Sequence, residues 1–158
     1  MRSAARLPVG TVVDATRGRL RLVSALDGAG RVQTARLWGG RFQVRQNRAQ
    51  RGMTSLALRG GSFRACPRSR AATISRVPRE NGTTRRVVRS LWVRDRNGRF
   101  RTHGNNSVAT ARGTAWVTED RCDGTVTRVI EGSMAVRARG ARRTVVVHAG
   151  RSHLTPKR

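Results

Sequence analysis

Between residues 109 and 150 the chain is written in short runs of Val, Thr, Ile and Trp cut by glycine, and this pattern restricts the fold more than any other feature. Val126, Arg128 and Ile130 alternate with Thr127 and Val129, so the two sets fall on opposite sides of an extended strand. Asp123-Gly124 stands just before that run and is a tight-turn dipeptide, because glycine takes the positive φ such turns need. Gly132 breaks the run, Met134 and Val136 resume it, and Thr144-Val-Val-Val-His-Ala-Gly150 closes it. A period of two interrupted this often is the pattern of short antiparallel strands, not of helices.

The same pattern runs through the rest of the chain. Strand-like runs fall at 7–13, 20–24, 32–37, 41–46 and 54–58, and again at 88–93, 99–102 and 107–111. Turns separate them at 16–19 and 27–30, a polar loop lies at 46–52, and Asp95-Arg-Asn-Gly98 reads as a hairpin turn. The expected fold is all-β: a single antiparallel β-sandwich or jelly-roll-like β-roll of about ten short strands. The chain divides into an N-terminal β-unit at 1–63, a connector at 64–89, a second β-unit at 90–154 and a tail at 155–158, packed as one compact domain. The connector is rich in Arg, Ser and Pro, with Pro67, Pro78 and Asn81-Gly82 as breakers, and reads as exposed and partly disordered. The two β-units echo each other. Leu37-Trp-Gly-Gly-Arg-Phe-Gln-Val44 parallels Val129-Ile-Glu-Gly-Ser-Met-Ala-Val136, the run at 54–61 parallels that at 144–150, and Gly10-Thr11 parallels Gly113-Thr114. Duplication and chance in a chain rich in Gly and Val both produce such an echo.

With 37% hydrophobic and 4% aromatic residues, the core must be modest and built from Val, Leu and Ala. The net charge is +26, and of 34 basic residues only Lys157 is lysine. Two readings compete: a polyanion binder, or a coding bias that places arginine on the outer side of every strand. The even spread of arginine favours the second, although either implies salt-dependent adhesion to acidic polymers. The chain holds no apolar run near the ~20 residues of a membrane span. Its two cysteines, Cys66 and Cys122, stand at turns beside strand-like runs, and Pro67 follows the first. They permit one disulfide or two unrelated thiols, and their placement favours the bridge. A bridge implies an oxidising compartment. Residues 1–7 are basic but carry no apolar signal-peptide run, so export would require a start further upstream or a place at the end of a longer exported chain.

Candidate catalytic and metal-binding groups are sparse. His103, His148 and His153 are too scattered for ligation, and His148 reads as an exposed strand residue. Asp95-Arg-Asn-Gly98 resembles the opening of a calcium loop, but Asn106 stands where that loop ends in Glu and Arg99 replaces its third oxygen ligand. Glu119, Asp120 and Asp123 are the only acidic cluster and read as turn residues paired with arginines. No serine stands in a nucleophile elbow. Trp38, Trp92 and Trp116 are either stacking platforms or packed strand residues, and packing is favoured because each sits in a strand-like run.

Arg99-Phe-Arg-Thr102, Asn106-Ser-Val-Ala-Thr110, Arg112-Gly-Thr114-Ala-Trp116, Asp123-Gly-Thr125, Glu131-Gly132 and Ala149-Gly150 follow one another in an order that resembles a FecR-like domain. The match spans roughly residues 91 to 154. On that resemblance Gly113, Thr114, Trp116, Asp123, Gly124, Glu131, Gly132 and Gly150 are structural positions of the family motif. The preceding segment resembles what leads into this domain in exported proteins of high-GC, Gram-positive bacteria. The resemblance implies an all-β extracytoplasmic domain. The signal relay of the better-known members is not implied, since the chain carries neither the membrane helix nor the cytoplasmic segment they use.

The expectation is therefore a non-catalytic, extracellular or cell-surface β-domain. Its partner is a protein or an acidic cell-wall polymer, it needs no cofactor or metal, and it binds nucleic acid only weakly and without sequence preference. The alternative is a basic nucleic-acid-binding β-protein. A binder of that kind requires one continuous basic groove with exposed tryptophans. The first reading predicts arginines on all sides and buried tryptophans.

Overall fold

The protein was analysed as a computed structural model, which describes residues 4–67, 85–96 and 98–158. Thirteen strands among these residues form two facing sheets that do not close into a barrel. The strands are β1 (Val12–Asp14), β2 (Arg19–Ala25), β3 (Val32–Trp38), β4 (Arg41–Gln46), β5 (Thr54–Arg59), β6 (Val87–Arg96), β7 (Arg99–His103), β8 (Ser107–Arg112), β9 (Ala115–Arg121), β10 (Gly124–Glu131), β11 (Ser133–Ala138), β12 (Thr144–His148) and β13 (Ser152–Pro156). The only helical turns among the described residues are two single 3₁₀ turns, at Arg48–Gln50 and Phe63–Ala65. One sheet has seven strands in the order β1-β4-β5-β7-β8-β11-β12, and the other has six in the order β13-β10-β9-β6-β3-β2. All neighbours are antiparallel except β5 and β7, which run parallel.

Alternation places the core between the sheets. In β3, Ala35 and Leu37 point inward while Arg36 points out, and β4 repeats the pattern with Phe42 and Val44. Leu56, Leu58, Phe100, Met134 and Val136 from the seven-stranded sheet meet Leu91, Val93, Trp116 and Val129 from the six-stranded sheet. Most of these side chains are aliphatic and two carbons or more beyond the backbone, so each gains roughly 1.5–3 kcal/mol from burial. The chain changes sheets between β3 and β4 through Gly39-Gly40. A β-carbon on Gly40 would overlap the carbonyl oxygen of Ser90, so only glycine lets this arch pass β6.

The halves of the chain share one connectivity. β1, β4 and β5 sit side by side, as do β8, β11 and β12; β2, β3 and β6 face the first set, and β9, β10 and β13 face the second. β7 is the one strand outside this repeat. Register aligns the halves closely: Phe42 opposes Leu58 and Met134 opposes Val147, so Leu37–Val44 and Val129–Val136 occupy equivalent positions. The echo of 54–61 by 144–150 agrees, since Leu58 corresponds to Val147. The third part is displaced: Val13 corresponds to Ala111, which leaves Gly10-Thr11 without a match at Gly113-Thr114.

Several local expectations are corrected. Asp95 to Gly98 is not a hairpin turn, because β6 and β7 belong to different sheets and this segment bridges them. The ladder of the first strand begins at Val12 and not at Leu7. The expected tail at 155–158 begins inside a strand, because β13 runs from Ser152 to Pro156 and pairs with β10 from Gly124 to Arg128. Most of the connector, including Pro78 and Asn81-Gly82, lies outside the described residues.

Candidate functional site

The outer face of the six-stranded sheet carries the most organised group of side chains. Register sets Arg19 beside Trp38, Trp38 beside Trp92, Trp92 beside Val117, and Val117 beside Arg128. Parity explains their direction: Leu37, Leu91 and Val93 point into the core, so Trp38 and Trp92 must point out. The indoles stack at 5.9 Å between centroids with 15° between planes. Arg19 covers the far side of Trp38 at 5.2 Å, and Arg128 reaches across Val117 to cover Trp92 at 5.6 Å. The result is a row of four stacked groups in which both π-faces of each ring are occupied. Such cation–π pairs contribute roughly 0.5–1 kcal/mol each at exposed sites. The expectation of buried tryptophans holds for Trp116, which is fully enclosed and donates Nε1–H to Thr102 at 3.2 Å. It fails for Trp38 and Trp92, which are half-buried on the outer face.

Around this row stand Arg21, Arg36, Arg94 and Arg96, with few acids to balance them. Arg94 pairs with Glu131 at 2.7 Å, and Arg128 lies 3.8 Å from Glu119. Both pairs are open to water and are worth about 0–1 kcal/mol. Arginines also line the outer face of the seven-stranded sheet, so the cationic surface covers both sides of the sandwich.

Cys66 and Cys122 form a disulfide, with Cα atoms 5.3 Å apart and a sequence separation of 56. The bridge ties the segment after β5 to the β9–β10 turn, where Cys122 is buried. Asp123 lies in the same turn and pairs with Arg121 at 2.5 Å. Gly124 starts β10 beneath β13, and a β-carbon there would overlap the Thr155 carbonyl oxygen. Gly132 carries the chain from β10 to β11 and so from one sheet to the other, while Gly150 turns it from β12 into β13. Gly113 sits in the turn between β8 and β9, and Thr114 beside it is buried.

Asp120 corrects the expectation of three acidic turn residues. It is a fully buried strand residue pointing inward. Its Oδ2 accepts from Arg89 Nε at 2.7 Å, and its Oδ1 accepts from the Thr125 hydroxyl at 2.6 Å and the Asn105 amide at 2.7 Å. Asp95 is the other buried acid. Its Oδ1 accepts from the Thr114 amide at 2.7 Å, and its Oδ2 has no partner among the described residues. Burial pushes its pKa up to about 6, against hydrogen bonds from the Thr114 and Gly98 amides that pull it down. A carboxyl whose folded pKa exceeds its unfolded value of 3.8 binds its proton more tightly when folded, so Asp95 favours folding below pH 3.8 and loses that contribution as pH rises to about 6. Asp95→Asn keeps the acceptor for Thr114 without the charge. We expect it to gain about 1–2 kcal/mol relative to wild type between pH 4 and pH 7. Urea unfolding of both proteins at the two pH values measures this, and an unchanged difference would refute it.

The histidines do not gather with the acids. His148 is exposed on β12 of the seven-stranded sheet, His153 lies on β13 of the other sheet, and His103 lies on β7. No group of three metal-ligating side chains occurs among the described residues. Two open depressions mark the surface. One is lined by Phe63, Arg64, Cys66, Pro67 and Lys157, and the other by Asp14, Thr16, Arg17, Gly18 and Arg41. The only acid in either is Asp14, already hydrogen-bonded to Thr16 and paired with Arg41 at 2.8 Å. No helix of the described residues is long and apolar enough to cross a membrane. The chain matches no family model and no curated protein.

Proposed function

We propose that this chain is a non-catalytic, extracytoplasmic binding module that lays a broad cationic sheet face against an acidic cell-wall polymer or the acidic surface of a protein. The observation that carries this reading is the row Arg19, Trp38, Trp92, Arg128. It spans five strands, and the stacking distances place its end guanidiniums at most about 17 Å apart. Stacking holds the guanidiniums in place, with Arg19 in no ion pair among the described residues and Arg128 only in the open 3.8 Å pair with Glu119, which suits repeated negative charges along an extended partner. The disulfide supports an oxidising compartment, and the FecR-like order of motifs agrees with it. The lack of converging acid and base groups in either depression supports a binding role over catalysis.

A second reading, nucleic-acid binding, is favoured by the half-exposed tryptophans among arginines. It is weakened by the same stack, since neither ring offers a free face to a base. The two are separated by titrating polyglutamate and a single-stranded oligodeoxynucleotide of equal charge, at low and at physiological salt. Both should bind at low salt and release steeply as salt rises. At physiological salt the DNA should hold no advantage, and Trp92→Leu should weaken both polymers alike. DNA binding that persists at physiological salt, quenches tryptophan fluorescence and is lost selectively in Trp92→Leu would replace the first reading with the second.

A further inference from the structure

The outer face of the seven-stranded sheet holds a denser group of cations, on the side of the sandwich opposite the tryptophan row. β7 runs through its middle and turns Arg99, Arg101 and His103 outward. His103 lies between Ala57 of β5 and Val108 of β8. Beyond Ala57 is Gln43, whose Oε1 accepts from Arg59 Nη2 at 2.6 Å and from Arg45 Nη2 at 3.0 Å. Arg101 Nε donates to Ser55 Oγ at 2.7 Å, and its Nη2 donates to Gln50 Oε1 at 2.5 Å. Arg139 holds the Gly104 carbonyl oxygen through Nε at 3.1 Å and Nη2 at 2.9 Å. Arg137 stands across from Val108.

Each of these anchors is a neutral oxygen. None of Arg45, Arg59, Arg101, Arg137 and Arg139 forms an ion pair among the described residues. The guanidiniums are therefore positioned without being neutralised, and each keeps N–H groups unused by its anchor. Their mutual repulsion registers on the groups at the centre. Burial, and then Arg101, Arg139 and Arg45, push the His103 pKa down to about 4. Burial and neighbouring arginines also lower Arg59 and Arg101. His103 Nε2 is buried and has no hydrogen-bond partner.

We propose that this cluster binds a multivalent oxyanion, the phosphate or sulfate ester of a larger ligand, between Arg45, Arg59, Arg101 and Arg139 beside His103. The guanidiniums come from β4, β5, β7 and the turn just after β11, and so approach His103 from several strands. A tetrahedral anion presents oxygens in all those directions, whereas a carboxylate presents one planar edge and is matched by a single fork. A dianion also relieves the repulsion that the empty cluster carries, so the site gains affinity from charge already paid into the fold. The proposal concerns the opposite face from the tryptophan row and does not rest on the reading given above.

With three histidines in the chain, imidazole resonances report the site directly. The intact, oxidised protein is titrated with pyrophosphate and separately with sulfate, with chloride at matched ionic strength as control. A bound anion stabilises the imidazolium, so the His103 midpoint should rise by at least one pH unit and saturate, while His148 and His153 stay put. Arg45→Gln and Arg101→Gln should each weaken the response at least fivefold with unchanged thermal midpoints. Phenyl phosphate and phenyl sulfate, matched in size, then separate the two sources: the ester that gives the tighter response identifies the ligand class. The proposal is overturned if chloride reproduces the shift, if all three histidines move together, or if both variants bind like wild type.

Discussion

Replacing Cys66 and Cys122 by alanine should lower stability by about 4 kcal/mol, through the freedom returned to the unfolded chain. The bridge closes a loop of 56 residues, long enough for the entropic term to be large. That loop contains β6, β7, β8 and β9, so most of the middle of the protein is enclosed by it. In a domain of this size each kcal/mol moves the thermal midpoint by about 2–4 °C, which gives a drop of about 8–16 °C. Reduction of the wild type should reproduce the loss, because the folded contacts near Cys122 survive. The Cys122 amide donates to the Arg86 carbonyl at 3.1 Å, and β6 and β9 remain paired from Val87 to Ala115. A loss under about 1 kcal/mol by both routes would mean that the unfolded chain already keeps these segments together.

The reach of sequence reasoning is clear at particular residues. Period-two alternation identified β2, β3, β4, β10 and β11, because one side of each faces a core and the other faces water. It could not say which of two sheets a strand joins. Asp123-Gly124 and Asp95-Arg-Asn-Gly98 have the same turn chemistry, yet the first closes a hairpin and the second bridges the sheets. The difference lies in pairing far along the chain: β6 must meet β3 and β9, while β7 must meet β5 in parallel. The outward tryptophans were legible in principle. Their neighbours Leu37, Leu91 and Val93 fix the parity, and membership of a strand implies burial only once the side is known. The His103 cluster was not legible, since its arginines come from strands brought together only by non-local register. The burial of Asp120 is not legible either, because a lone charge gives no sign, in sequence, of the donors that surround it.

Those donors make Asp120 the residue whose loss should be felt most widely. Asp120→Ala is expected to cost about 3–5 kcal/mol, the range for removing one partner of a buried ion pair. Three groups lose their acceptor together: the Arg89 guanidinium on β6, the Thr125 hydroxyl on β10, and the Asn105 amide in the turn between β7 and β8. Thr125 in turn accepts from the Asn106 amide at 2.9 Å, so both residues of that turn depend on the carboxylate. Removing the charge pair as a whole should recover only part of the loss. Arg89→Met with Asp120→Leu eliminates the stranded guanidinium, but the Thr125 hydroxyl stays buried without its partner, which costs roughly 1–3 kcal/mol, and the part-buried Asn105 amide also loses its acceptor. Denaturant unfolding of the single and double variants measures the two parts, and hydrogen exchange at Asn105 and Asn106 locates the second. Full recovery in the double variant, with exchange at these amides unchanged, would show that the ion pair alone carries the effect. Persistent loss with faster exchange would show that Asp120 fixes the β7–β8 turn, and with it the Gly104 carbonyl that anchors Arg139 beside His103.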